Sequence, residues 1–276
     1  MGFALFQWIG GSLDAMLNTF VSDTATNVIF GFQMLLLTGV TLYITLTGYA
    51  IASGAVESPF PTFIKHCLKI IIAAFCMTAD SYTATAVSAI QGLETGLADI
   101  MSTSNAQAAN IYQVLDNSAD KGLNVAYDML GKVAKRELYE LGHMFWDALN
   151  ALLMAIAVLL IHLPAAATII MAKLGLGLML GLGPLFIAAL MFPVTAKWFD
   201  KWFEQVLAYV LEIAITMVVM SVGVALFKAL FDKVISTSTD NPISSFVQII
   251  ILALIILFAQ RKTSGLGARL AGGHCV

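Results

Sequence analysis

Charge is scarce in this chain. Of its 276 residues only 11% are Asp, Glu, Lys or Arg, and 59% are hydrophobic, whereas soluble domains carry about 25% charged and about 45–50% apolar residues. A water-soluble fold of this size could not hide that much apolar surface, so that class is excluded. The net charge of −3 includes no basic patch or tail dense enough for direct, high-affinity nucleic-acid binding. Cysteine is nearly missing: Cys67 and Cys76 share one apolar segment and Cys275 is next to last, so no disulfide framework is expected. No Cys/His cluster offers a structural zinc site, and the isolated His162 is expected to hydrogen-bond within a packed bundle. Residues 1–27 hold Asp14 and Asp23 but no Lys or Arg, against the basic start of a signal peptide. Paired carboxylates, an activated serine and a histidine dyad are all lacking at local spacing. The glycine run at 175–183 is not followed by the Lys and Ser or Thr of a phosphate loop. Neither catalysis nor a cofactor nor a metal is expected.

Long apolar runs are what the chain has instead. Several approach or exceed the roughly 20 residues that cross about 30 Å of hydrocarbon as helix. They are continuously apolar, not alternating as in a transmembrane barrel. The expected fold is therefore all-α, a polytopic integral membrane bundle of about five net crossings with a helical insertion outside the membrane. Residues 1–27 repeat Phe6, Ile9, Leu13, Leu17 and Phe20 at three and four, which fits an amphipathic helix on the bilayer or on the protein's own soluble part. Residues 28–79 hold the first two spans, from about Val28 to Ala52 and from Phe63 to Thr78. Residues 80–145 form the long polar insertion, read as an extracytoplasmic helical domain, either a docking surface or a spacer. Residues 146–260 are the rest of the bundle, and 261–276 a cytoplasmic tail behind Arg261 and Lys262. The positive-inside rule puts the N-terminus outside.

Within the bundle, Trp146 to Phe192 is too long for one crossing, since a helix of that length would measure about 70 Å. It must fold back or break. Either the run Gly175, Gly177, Gly181, Gly183, Pro184 is a break or a re-entrant element, or a tight hairpin turns at Lys173. The glycines permit close helix approach or bending. Beyond them Lys197, Trp198, Lys201 and Trp202 recur at i, i+4 and read as interfacial anchors facing the cytoplasm. Glu212, inside the next span, is the candidate for a buried polar contact.

Gly-Pro-Leu-Phe-Ile at 183–187, Phe192-Pro193 with Thr195, and Trp198-Phe199 with Trp202 resemble the signature of a family. It is the TrbL-like polytopic subunit of bacterial type IV secretion systems, the sixth VirB-type component. The resemblance implies an inner-membrane channel or platform subunit with a periplasmic N-terminus, a central periplasmic loop at 80–145 and a cytoplasmic C-terminus. It also implies a homo-oligomer that meets a minor pilin or stalk subunit, other secretion subunits, membrane lipid and, transiently, single-stranded DNA or a protein substrate. Copies would pack through the Gly-rich region. A secondary transporter is the alternative; it would need internal repeats and ion-coupling residues, for which the sequence offers sparse material.

Overall fold

The computed structural model describes residues 4–54, 63–64, 67–71, 74, 78, 81–101, 111–133, 141–237, 242–263 and 265–272. Every element there is helical: α1 (Leu5–Ala52), a π-helical turn (Tyr82–Val87), α2 (Ser88–Met101), α3 (Ile111–Val133), α4 (Leu141–Gly181), α5 (Gly183–Ala189), α6 (Ala196–Thr237), α7 (Pro242–Thr263) and α8 (Leu266–Gly272). Four of the described helices are long and apolar enough to cross a membrane: α1, most of α4, the first part of α6, and Val247–Gly272. The chain is a multi-pass α-helical membrane protein. Of the second expected span, 63–78, residues 65, 66, 72, 73 and 75–77 lie outside the described residues.

One boundary differs from the expectation. The segment 1–27 and the first span are not separate, because α1 runs unbroken for 48 residues. No proline falls in it, and Val21, Ala25 and Ile29 carry one inward-facing line straight across the expected boundary at Val28. Its second half is different. Phe30, Met34, Leu35, Leu37, Leu42 and Tyr49 are exposed, which suits contact with lipid. Thr38, Thr41, Thr45 and Thr47 each donate their hydroxyl to the carbonyl four residues back at 2.8–2.9 Å, so these hydroxyls ask for no partner outside the helix.

The two alternatives for the next apolar stretch are decided in α4, in favour of the break in the Gly-Pro run. The apolar stretch does not fold back at Lys173; it is one helix of 41 residues through Pro164, about 62 Å long. Helix length beyond the hydrocarbon thickness is accommodated by extending past it, and the break comes only after Gly181.

Two compact units share these long helices. One comprises Met1–Leu13, Thr95–Ala172 and Leu211–Gly267, the other Asp14–Glu94, Lys173–Val210 and Ala268–Val276. In the first, α3 packs on α4 where Gly122 lets Val158 approach, and Gly223 of α6 does the same for Ile256 of α7. In the second, Gly175, Gly177 and Gly181 admit Tyr209, Leu17, and Phe20 with Thr24. The glycine stripe expected to join copies is thus filled by the chain's own side chains.

Candidate functional site

The end of α4 sets the geometry of the second unit. A helix C-terminus leaves four carbonyls without an intrahelical donor. Here Leu182 N–H returns to Leu178 O at 3.2 Å, the Trp202 indole N–H donates to Met179 O at 2.8 Å, and the Tyr82 hydroxyl donates to Leu180 O at 2.5 Å. Glycine is required at 183, because a Cβ there would collide with the Tyr82 hydroxyl and lie 3.0 Å from the Trp202 ring. The buried Pro184 opens α5, where its missing N–H costs nothing. The chain then reverses through a tight turn in which the Thr195 hydroxyl donates to Ala189 O at 2.8 Å. Phe186 stacks on Trp202 with centroids 6.0 Å apart and planes 13° from parallel, Phe199 tilts against Trp202, and Phe203 stacks on Phe199.

This arrangement divides the four expected anchors. Trp198 is 57% exposed, and Lys197 and Lys201 are exposed, with Lys201 2.7 Å from Glu204. Trp202 is not at the surface at all; it is 4% exposed. Four residues along a helix rotate a side chain by about 40°, enough at the rim of a packed face to separate the two indoles. Glu212 is half-buried, while the buried carboxylates are Glu94 and Asp116.

The break also bears on sidedness. Tyr82 and Trp202 both reach Gly183, so 82 and 202 lie at one level. Opposite sides of a membrane are about 30 Å apart. That shared level stands against the expectation that 80–145 lies outside and 196–204 inside.

Buried polar ties that join distant parts of the chain escaped the sequence reading. In the first unit Asp116 of α3 accepts the Phe6 and Gln7 backbone N–H groups at 3.0 and 2.7 Å, a carboxylate on the positive end of α1. His162 bonds Val158 O through Nδ1 at 2.7 Å and Ser118 Oγ through Nε2 at 2.7 Å. A carbonyl can only accept, so Nδ1 carries a proton. Pro164 lacks the N–H that would meet Leu160 O. Around it Gln260 Nε2 donates to Ile161 O at 3.1 Å and Thr168 Oγ1 to Pro164 O at 2.9 Å. In the second unit Lys173 Nζ reaches both oxygens of Asp14 at 3.0 Å and lies 3.1 Å from Glu94 Oε1. Partners 79 to 159 positions apart leave no local spacing to read. A lysine inside an apolar run was the one visible signal. Among the described residues no three His, Cys, Asp or Glu side chains assemble as metal donors.

Long apolar helices, a capped helix break and buried ion pairs define a multi-pass membrane protein built by helix packing. Comparison with known proteins makes the class specific: the sequence model described as TrbL/VirB6 plasmid conjugal transfer protein matches residues 40–263. The chain belongs to the TrbL/VirB6 family. It is 32% identical over 202 residues to type IV secretion system protein VirB6 of Brucella abortus and of Brucella suis, covering 71% of this chain and 57% of each relative. It is 28% identical over 177 residues to type IV secretion system protein PtlD of Bordetella pertussis, covering 60% of this chain and 36% of that protein. The chain thus spans little more than half the length of the Brucella relatives it matches.

Proposed function

We propose that this protein is an inner-membrane channel or platform subunit of a type IV secretion system, supporting pilus or stalk assembly and the passage of DNA or protein. The match over residues 40–263 carries the reading, and the exposed apolar wall of α1 supports residence in lipid. Its role is structural, not enzymatic. Its partners are further copies of itself, a minor pilin or stalk subunit and other secretion subunits, with transient contact to single-stranded DNA or a protein substrate. Residues 81–94 and 196–204 face one compartment.

A strain deleted for the gene should lose substrate transfer and surface pilus, and regain both from a plasmid copy. Full transfer without the gene, or saturable uptake of a small solute by vesicles holding this protein alone, would overturn the reading. Single cysteines at Gln91 and Thr195, probed with a membrane-impermeant thiol reagent in intact cells, should both label or both stay silent. One labelling without the other would refute the shared side.

A further inference from the structure

Glu94, Asp14 and Lys173 bring two carboxylates and one ammonium together in the second unit, one negative charge more than the cluster can balance. The ammonium is committed to Asp14, whose two oxygens it holds at 3.0 Å each. Glu94 is the surplus. Its Oε1 lies 3.1 Å from the same nitrogen, yet no donor among the described residues is aligned on that oxygen as a hydrogen bond. Its side chain is also the more deeply buried, 6% exposed against 31% for Asp14. A carboxylate so placed has lost its water and gained at Oε1 only an ammonium that Asp14 already holds, a condition that favours uptake of a proton over keeping the charge.

We propose that Glu94 is a proton-binding site. One proton from solvent, entering past the part-exposed Asp14, bonds to Oε1 and leaves the cluster as Asp14 carboxylate, Lys173 ammonium and neutral Glu94 carboxylic acid. No other bond forms or breaks, and the charge of the cluster goes from −1 to zero. The charged groups that face Glu94 among the described residues are Lys173 from α4 and Asp14 from α1. Burial is the largest influence on the carboxyl and lifts it above its ordinary value; Lys173 pulls it down and Asp14 lifts it further. A carboxyl raised by folding stabilises the fold most fully below its unfolded pKa, about 4.3, and that contribution is lost as pH rises through the folded value. Above it the second carboxylate competes with Asp14 for Lys173, loosening the seat of α1 and α2 on α4. The site would make a segment of this secretion subunit responsive to proton concentration.

Infrared spectroscopy of the full-length protein in lipid nanodiscs reads the proton directly. At neutral pH it should show a carboxylic-acid C=O stretch that shifts in heavy water, disappears on alkalinisation and is missing from E94Q. In D14N the ammonium loses its committed partner, so Glu94 should ionise and the band should vanish. The two variants should also differ in stability: E94Q keeps the unfolding midpoint and flattens its dependence on pH, whereas D14N lowers the midpoint. Should E94Q fail to fold, the band in the parent protein and its loss in D14N still decide. A neutral-pH spectrum without the band, a band unchanged in D14N, or equal loss of stability in E94Q and D14N would overturn the proposal.

Discussion

Two prolines on the same stretch of chain meet opposite fates. At Pro164 the helix carries on, and at Pro184 it has just ended. The ring chemistry is the same, so the difference lies in what surrounds it. Around Pro164 the helix keeps its course although Leu160 O has lost its backbone donor; His162, Gln260 and Thr168 donate to the neighbouring carbonyls of Val158, Ile161 and Pro164, side-chain bonds of the kind that let proline persist in a membrane helix. At Gly181–Pro184 the donors come from outside the helix, Tyr82 and Trp202, and a glycine makes room for them. A proline in an apolar helix thus ends it where the neighbours hold the broken end, and not where they mend the turn.

That contrast can be broken by experiment, beginning with the largest effect. Trp202→Ala removes the donor to Met179 O and the centre of the aromatic stack, and should cost about 3–5 kcal/mol in denaturant unfolding from detergent. Trp198→Ala should stay within about 0.5 kcal/mol. Similar losses for both would show that the break is not held by Trp202. Gly183→Ala comes next, overpacking Tyr82 and Trp202 at a cost of about 1–3 kcal/mol. Gly131→Ala in α3, where nothing lies within 4 Å of the added carbon, should instead stabilise by roughly 0.5–1 kcal/mol. The smallest effect belongs to Pro164. Gln260→Leu should cost about 1 kcal/mol, and less once Pro164→Ala has restored the backbone donor. A double-mutant cycle reads that coupling, and strict additivity would mean that Gln260 does not serve the proline turn.

How much of this was legible depends on the range over which each feature acts. Apolar runs and the absence of charge are local, and they were sufficient for an all-α membrane bundle. The end of α4 was legible for the same reason, since Gly181, Gly183 and Pro184 are neighbours in sequence. The extent of α4 before it was not. A turn at Lys173 stays open as an alternative until Asp14, 159 residues away, is known to pair with it. Trp202 reads as an anchor by composition, and only the packing of Tyr82, Gly183 and Phe186 around it shows a buried capping group. Asp116 is likewise an ordinary acidic residue in the sequence, yet it holds the N-terminus of α1.

The two halves of α1 are held in different ways. With Thr38, Thr41, Thr45 and Thr47 bonded to their own backbone, those four hydroxyls offer no free donor to lipid. Aromatic packing of Phe192 on Tyr43 and beside Gly39 touches that half, whereas the inner half is gripped by the carboxylate of Asp116 and the ammonium of Lys173. One helix is thus tethered by charge near its start and by an aromatic ring farther along, two holds that differ in kind: charge weakens with added salt, and the ring contact does not.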